Sequence, residues 1–404
     1  MKLIDRPIYV DRLVSRLNKG MMIVLIGQRR VGKSFLLRLL KDWIEQNRPQ
    51  ASIAYINKEL KDFDEIKNSD SLYAYASERL SIGGENYLLI DEVQDIENYE
   101  DALRSLYAED RCQIVITGSN AYLFSSELST RLSGRYIEIP VLSLGYEEFL
   151  KFHNFKDSDD TLRHFLKVGG LPGLSKFDTF DEAEVRDYLQ GVYNTVLMKD
   201  IVSRQKIRNI SFLGNLTRFL ADNIGKLISS NSVSKFMKGK GEKISESSVS
   251  DYIRYICDAL IAKEVQRYDI HGKKLFESIG KYYFADHGLR NLLCGFNLLG
   301  SIEKVMENVV YNHLLIHGWD VTVGILKAGE IDFVAERGGD RKYIQVTYML
   351  SSDETVEREF GNLAAIKDNY PKIVVSMDPF GGEFPQYPGI RHYSLRTFLQ
   401  SEMR

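Results

Sequence analysis

Three absences limit what this chain of 404 residues can be. Its three cysteines, Cys112, Cys257 and Cys294, lie far apart and show neither a disulfide framework nor the spacing of a zinc site. No apolar run approaches the roughly 18 residues that a membrane-spanning helix needs, and charges interrupt the start of the chain where a signal peptide would be apolar. With 8 prolines and 27% charged residues, the composition is typical of a folded protein. We therefore expect a soluble, cytoplasmic protein with reduced cysteines.

The length and the charge distribution indicate several parts with different roles. A chain this long exceeds one typical hydrophobic core, so two or three domains are expected. The net charge of −3 conceals an asymmetry: residues 201–290 contain 16 Lys and Arg against 9 Asp and Glu. A basic middle between acidic flanks favours a polyanionic partner, although scattered surface lysines would give the same composition.

The strongest motif follows a short apolar stretch, Met22 to Ile26, and reads GQRRVGKS. A strand, G-x-x-x-x-G-K-S and then a helix predict a phosphate-binding loop. Its glycines let the backbone amides turn toward phosphate oxygens, and the helix N-terminus adds partial positive charge. Lys33 can reach the β- and γ-phosphates of ATP, and Ser34 can ligate Mg²⁺. The predicted nucleotide-binding residues are Gly27, Gln28, Arg29, Arg30, Val31, Gly32, Lys33, Ser34 and Phe35.

A second acidic motif, YLLIDEVQDI, predicts a buried parallel strand that ends at Asp91 and Glu92. Ligands of open α/β sheets bind at the carboxyl ends of the strands. We expect Asp91 to bind Mg²⁺ through water and Glu92 to orient or deprotonate the attacking water. A capped strand end is the plainer alternative.

The next apolar segment, CQIVITGSN, ends in polar residues that include Thr117, Ser119 and Asn120. A polar residue such as Asn120 at this place commonly lies between the two previous motifs and senses the γ-phosphate. Arg131 and Arg135 then lie in a short basic turn. Either arginine could complete the site of a neighbouring subunit in a homo-oligomer, because a cation assists phosphoryl transfer. A surface pair that caps a helix end is the alternative.

Taken in order, these motifs resemble the AAA-type ATPases, in particular bacterial and archaeal ones that continue into a winged helix and a restriction-endonuclease-like domain. GGLPG at Gly169 and GEIDFV at Gly329 follow in the same order as in that family. The resemblance implies Mg-dependent ATP hydrolysis and an α/β fold. It predicts a P-loop NTPase parallel sheet at 1–145, a helical lid at 146–205, a winged helix-turn-helix at 206–295 and an α/β restriction-endonuclease-like domain at 296–404.

The basic segment around residues 210–270 favours a winged helix. Ser245 or Ser247 can cap a helix whose apolar face includes Val249, Ile253 and Ile256, and a strand pair follows. In such folds the capped helix can enter the major groove of DNA while the wing contacts phosphate. Many winged helices bind proteins instead. The lysines available for phosphate contact are Lys235, Lys238, Lys240, Lys243, Lys273 and Lys274.

The last segment predicts a helix with Glu307, three strands, a helix and a strand. In an active nuclease of this fold, the helix Glu, an Asp equivalent to Asp332 and an acid on the next strand hold the metal ion, and a lysine two residues on assists. Gln345 and Thr347 stand where that acid and lysine belong, so we expect a degenerate site without cleavage. One alternative is rescue by a displaced residue such as Lys342 or Lys327. The other is that Glu330 and Asp332 are only polar residues on an exposed strand face.

The sequence thus predicts an ATPase of AAA type with ATP and Mg²⁺ as cofactors, coupled to DNA binding and with no membrane association. Two rivals come from other functional classes. One is a nucleotide-gated switch that binds proteins and not DNA, and the other is a metal-dependent nuclease.

Overall fold

The computed structural model describes residues 4–119, 132, 134–177, 181–239, 241, 244–272, 274–327 and 329–401. The chain divides into two compact units. The first comprises residues 1–142 with 258–260, and the second comprises 143–257 with 261–404. Among the residues described, no helix is long and apolar enough to cross a membrane.

The first unit is built on a parallel sheet with strand order β2-β3-β4-β1-β5 in its described residues. Strand β1 has the predicted bounds, and every residue of β1, β3 and β4 is buried, as expected for strands covered on both faces. The elements are α1 Pro7–Val14, β1 Met22–Ile26, α2 Lys33–Asn47, β2 Ser52–Asn57, α3 Ser69–Arg79, β3 Asn86–Asp91, α4 Tyr99–Ala108, β4 Gln113–Gly118 and β5 Tyr136–Pro140.

The position of β4 between β3 and β1 decides which polar residues meet. The register pairs Ile26 with Gly118, and Ile90 with Ile116. The residues that follow these three strands therefore emerge side by side at one edge of the sheet. That edge is where the phosphate-binding loop and the Asp91–Glu92 pair lie.

The second unit begins with helices, in the range 146–205 for which the sequence analysis expects a helical lid. They are α5 Tyr146–His153, α6 Asp159–Val168 and α7 Glu182–Thr195, which continues into a π-helical stretch Val196–Val202 and a helical turn Ser203–Gln205. The GGLPG turn packs within this unit: the Gly170 amide donates to Asp286 Oδ2 at 2.8 Å. Gly169 has φ +87°, and an added Cβ would lie 2.6 Å from the backbone of Gly288. These contacts give the turn a packing role within this unit.

Three further helices precede a strand hairpin, in the order expected for a winged helix. They are α8 Ile210–Asp222, α9 Ser230–Gly239 and α10 Glu246–Asp258, followed by antiparallel β6 Ala262–Asp269 and β7 Lys274–Phe284. Of the two predicted caps, Ser245 accepts the Ser248 amide at 3.1 Å. Val249, Ile253 and Ile256 are buried as predicted.

Helix α11 His287–Cys294 comes next. The predicted order of helix, three strands, helix and strand is then found in α12 Ile302–Ile316, β8 Asp320–Ile325, β9 Glu330–Arg337, β10 Asp340–Val346, α13 Asp353–Ala364 and β11 Lys372–Ser376. Three further elements that the sequence did not predict follow it: β12 Gly382–Glu383, β13 Ile390–Ser394 and α14 Leu395–Leu399. Strands β8, β9 and β10 are antiparallel, whereas β10, β11 and β13 are parallel.

The β6–β7 hairpin and the C-terminal strands form one sheet, although the sequence analysis assigns them to two separate domains. Its order in the described residues is β12-β13-β11-β10-β9-β8-β6-β7. Strand β8 pairs with β6 in parallel at Arg267–Asp269. This pairing satisfies backbone groups that an open edge at β8 would expose. It also brings β7 into the same unit as α12 and β9.

Candidate active site

The loop between β1 and α2 has the backbone that its glycines predict. Gly32 has φ +100° and caps α2, a conformation that other L-residues adopt only with strain. At Gly27 an added Cβ would lie 2.3 Å from the Val141 carbonyl oxygen, so a side chain is excluded there. The first amides of α2 therefore lie directly after a tightly turned loop, which is the geometry that binds phosphate.

Lys33 lies in this loop with its ammonium inside the protein. Its side chain is 3% exposed, and its Nζ donates to the carbonyl oxygens of Gly27 at 2.8 Å and Gln28 at 3.1 Å. The same Nζ lies 3.9 Å from Glu92 Oε1. A phosphate oxygen would be a stronger, charge-assisted acceptor than these neutral carbonyls. Lys33 is thus placed to move from its own loop to a bound phosphate.

Thr117 joins the two acidic residues. Its hydroxyl donates to Asp91 Oδ1 at 2.7 Å and accepts the Glu92 amide at 2.9 Å. Burial raises the pKa of Asp91, while hydrogen bonds from Thr117 and Ser34 oppose that rise. Glu92 has φ +55°, in the left-handed region, and its Oε2 accepts a hydrogen bond from Gln94 Nε2. The structure therefore brings Ser34, Asp91 and Glu92 together.

Several buried polar atoms at this edge have no hydrogen-bond partner within the described part of the chain. They are Asp91 Oδ2, both side-chain amide atoms of Gln28 and the Ser119 hydroxyl. They lie at or just after the carboxyl ends of the neighbouring strands β3, β1 and β4, and buried polar atoms are costly unless water or a ligand satisfies them. Carboxylate and hydroxyl oxygens are the ligands that Mg²⁺ prefers. The residues present fit a magnesium nucleotide, which Ser34 and Asp91 would hold through its metal and the loop through its phosphates.

Arg6 also supports the loop, and the sequence motifs do not include it. Its guanidinium donates from Nη1 to the Val31 carbonyl at 2.8 Å and from Nη2 to the Leu142 carbonyl at 3.2 Å. The Leu142 amide donates to the Tyr9 hydroxyl at 3.1 Å. Arg6 is 2% exposed, so it ties the loop to the segment after β5 from inside the unit.

Comparison of the sequence with known proteins shows the family to which this chain belongs. Residues 19–150 match the family described as AAA domain, and residues 159–299 match a domain of unknown function. An uncharacterized protein of Haemophilus influenzae is 32% identical over 380 residues, which cover 93% of each chain. The chain belongs to the family of this protein. Its first unit is an AAA domain with a P-loop.

Two further likenesses are more distant. An uncharacterized protein of Methanocaldococcus jannaschii is 28% identical over 384 residues, covering 91% of this chain and 82% of that protein. AMPPCP-bound DnaA from Aquifex aeolicus aligns at 15% identity with a TM-score of 0.31, covering 61% of this chain and 85% of that one. A TM-score this low establishes no shared function.

Of the three predicted site residues that follow β4, the structure describes one. Asn120 and Arg131 lie outside the residues that the structure describes. Arg135 is described: its carbonyl accepts the Met22 amide at 3.0 Å, and its guanidinium lies 5.5 Å from the centroid of the Tyr107 ring. Because Met22 begins β1 and the P-loop follows its end, Arg135 lies roughly 16 Å along the sheet from the P-loop of its own AAA domain. Arg135 is therefore remote from that site, and its role in a neighbouring subunit and its role as a surface residue both stay predictions.

A second group of chemically interesting residues lies in the second unit. We call it the lysine-centred cluster, and it consists of Lys281 from β7, Glu307 from α12, and Glu330 and Asp332 from β9. Lys281 Nζ lies 3.1 Å from Glu307 Oε1, 2.5 Å from Glu330 Oε1 and 3.4 Å from Asp332 Oδ1. Glu307 and Asp332 therefore lie close together around one lysine. The Asp332 side chain is 13% exposed and that of Glu330 is 32% exposed, so neither is simply a polar residue on an exposed strand face.

Gln345 and Thr347, the other two predicted residues of this site, form hydrogen bonds with Asp332 and Glu303. Gln345 Oε1 accepts the Asp332 amide at 3.2 Å, and the Thr347 hydroxyl donates to Glu303 Oε1 at 3.4 Å. The predicted substitutes for the missing lysine are elsewhere. Lys342 Nζ lies 4.7 Å from the centroid of the Trp319 ring, and Lys327 is exposed.

Sequence reasoning missed Lys281 because no local pattern marks it. It lies 26 residues before Glu307 and 51 before Asp332 in the chain. The only available signal was a lysine directly before the apolar stretch YYF, at a position where a buried charge needs partners.

Proposed function

We propose that the protein is a Mg-dependent ATPase whose AAA domain hydrolyses ATP and whose second unit binds DNA. The observation that supports hydrolysis most directly is the connection of Asp91, Thr117 and Glu92 beside Lys33. Binding alone needs a phosphate loop, whereas hydrolysis also needs a carboxylate that can orient water. We assign that role to Glu92.

The resting contacts suggest how the residues act when ATP binds. The γ-phosphate would attract Lys33 away from the Gly27 and Gln28 carbonyls and from Glu92. Glu92 would then lose a nearby cation and keep its hydrogen bond with Gln94, so its free carboxylate oxygen could accept a proton from water. When bound, Mg²⁺ neutralises phosphate charge. Asp91 and Ser34 would hold it, with Thr117 fixing the orientation of the Asp91 carboxylate.

Two substitutions test this assignment. Lys33→Ala should abolish ATP turnover while the protein stays folded, because the loop loses its cation for the β- and γ-phosphates. Glu92→Gln should bind a fluorescent ATP analogue with near wild-type affinity and hydrolyse ATP slowly. Wild-type turnover in the Lys33 variant would remove the P-loop from the reaction, and unchanged turnover in the Glu92 variant would remove Glu92.

The DNA part of the proposal is supported by the basic composition of residues 201–290 and by exposed cations on α9 and α10. Lys235 and Lys238 on α9 and Arg254 on α10 are exposed. Lys240, Lys243 and Lys273 lie outside the described residues, as does the side chain of Lys274. Each phosphate that the protein neutralises adds to the salt dependence of DNA binding, so their number is measurable.

The matching experiment is a salt titration of duplex DNA binding. The double change of Lys235 and Lys238 to glutamine should weaken binding and reduce the slope of log K against log salt by roughly 2, about one for each phosphate that is no longer neutralised. Lys61 and Lys67, both exposed in the first unit, provide a control double change with the same loss of charge. If the affinity for duplex DNA changes neither with salt concentration nor with either double substitution, the protein-binding switch is favoured.

We also propose that the C-terminal part is a nuclease-like fold that does not cleave DNA. The predicted element order and the position of Glu307 beside Asp332 support the fold. Gln345 and Thr347 supply neither the second acid nor the lysine that cleavage needs. Incubation of supercoiled plasmid with the protein and Mg²⁺ or Mn²⁺ should leave the plasmid intact, and nicking that Asp332→Ala abolishes would establish the nuclease instead.

A further inference from the structure

The nuclease resemblance implies a divalent metal held by Glu307 and Asp332, and the geometry of the cluster does not fit one. Over the described residues, no group of three or more His, Cys, Asp or Glu side chains is placed to hold a metal ion. The place between the carboxylates is taken by an ammonium group. We propose that Lys281 is the resident cation of the lysine-centred cluster and replaces the metal ion, so that the site is closed to divalent cations.

The hydrogen bonds of the cluster leave no donor for an added ligand. An ammonium has three N–H groups, and Glu307, Glu330 and Asp332 each place a carboxylate oxygen within reach of Lys281. The Lys281 side chain is 3% exposed, so water does not replace any of these partners. The cation is therefore fully paired inside the protein.

The carboxylates are held from their other sides as well. The Tyr283 hydroxyl donates to Glu307 Oε1 at 2.5 Å, and the Val346 amide donates to Asp332 Oδ2 at 2.9 Å. Gly225 packs directly against Glu307: a Cβ added at position 225 would lie 2.3 Å from Glu307 Oε2. These contacts fix the oxygens around the ammonium, whereas a divalent cation would need them drawn to distances of roughly 2.0–2.6 Å around itself.

Electrostatics support the same assignment. Burial alone would lower the pKa of Lys281, but the carboxylates of Glu307, Asp332 and Glu330 raise it above its ordinary value, so the side chain stays charged. Negative charge still exceeds positive charge here. Glu359 is buried, its Oε2 has no partner among the described residues, and its charge helps to raise the pKa of Asp332. Removal of the lysine charge would leave a group of carboxylates without a buried cation.

The inference predicts that a neutral side chain at position 281 opens a metal site. Lys281→Met keeps an unbranched side chain that ends one atom short of the ammonium nitrogen, and it removes the charge. All titrations use the full-length protein without nucleotide and with the substitution Asp91→Asn, which prevents metal binding at the P-loop. We call this Asp91→Asn protein the parent. Calorimetric titration with Mn²⁺ should show no site in this parent. Addition of Lys281→Met should produce one Mn²⁺ site whose affinity exceeds the detection limit set by the parent at least roughly a hundredfold, the order expected when a buried ion pair no longer competes.

A further change verifies that the new site is the cluster. Asp332→Asn in the Lys281→Met protein should remove the Mn²⁺ site, whereas Glu336→Gln, an exposed acid on the same strand, should leave it intact. A folded Lys281→Met protein with unchanged circular dichroism that binds no Mn²⁺ would overturn the inference. This test is independent of ATP hydrolysis, so its failure and the failure of the ATPase proposal are distinguishable.

The parent protein provides a second measurement that needs no Lys281 variant. If Lys281 is the resident cation, Mn²⁺ at millimolar concentration finds no site in the parent that Asp332→Asn removes. A parent site that is lost with Asp332→Asn would show that the carboxylates take a metal and that Lys281 moves aside, which would overturn the proposal even if Lys281→Met does not fold.

Discussion

Replacing Thr117 with valine should loosen the backbone at Glu92 without changing the shape of the core. Thr117 is fully buried, and its hydroxyl donates to Asp91 at 2.7 Å and accepts the Glu92 amide at 2.9 Å. Valine has nearly the same volume and no hydroxyl. The Glu92 amide then has no acceptor, and the Asp91 carboxylate loses one of its donors.

The size of the effect follows from the missing hydrogen bond. A buried N–H without a partner costs about 1–3 kcal/mol. At 1.36 kcal/mol for each factor of ten, a cost of about 2 kcal/mol accelerates hydrogen exchange of the Glu92 amide roughly 30-fold. The pKa of Asp91, already raised by burial, should rise further, because the Thr117 hydrogen bond favours the ionised form. The acid limb of the ATP turnover profile should therefore move to higher pH.

Hydrogen exchange followed by mass spectrometry at single-residue resolution measures this directly. Thr117→Ser is the matched control, because serine keeps the hydroxyl and should keep slow exchange at Glu92. Exchange at Leu89, in the middle of β3, should be the same in both variants, since its strand hydrogen bonds persist. Equal exchange at Glu92 in the valine and serine variants would refute the assignment of Thr117 as the residue that joins Asp91 to Glu92.

Three further predictions concern other residues. Arg6→Met removes the guanidinium that binds the P-loop backbone and should weaken ATP analogue binding roughly tenfold, about 1.4 kcal/mol for a hydrogen bond from a charged donor; unchanged affinity in a fluorescence titration would contradict this. Gly27→Ala should abolish nucleotide binding, since the new Cβ overlaps a carbonyl oxygen, whereas Gly214→Ala, on a helix with open space around it, should be neutral or stabilising by thermal melting. Burial and the Glu307 charge raise the pKa of Asp332 to about 8. The protonated Asp332 carboxyl therefore contributes stability that is fully present below about pH 4 and is lost as the pH rises to about 8. The melting temperature of the wild type minus that of Asp332→Asn should fall over that pH range and then stay constant.

The AAA domain shows how much local sequence determines. The strand Met22–Ile26, the glycines of the loop and the strand that ends at Asp91 all follow from neighbours in the chain, because turn geometry and strand burial depend on residues a few positions apart. The sequence also indicates that a polar residue at the end of β4 would meet the acidic motif. Only the tertiary structure shows that Thr117 bonds to both Asp91 and the Glu92 backbone.

Arg6 and Lys281 mark the limit of what the sequence determines. Arg6 reaches the loop across 25 residues, and Lys281 reaches Asp332 across 51. Neither has a motif, since a side chain that serves a distant backbone or carboxylate leaves no local periodicity. The sequence could show that Gln345 and Thr347 lack the chemistry of a nuclease. That a lysine from another hairpin occupies the place of the metal was decided by the pairing of β6 with β8, which joins two predicted domains into one sheet.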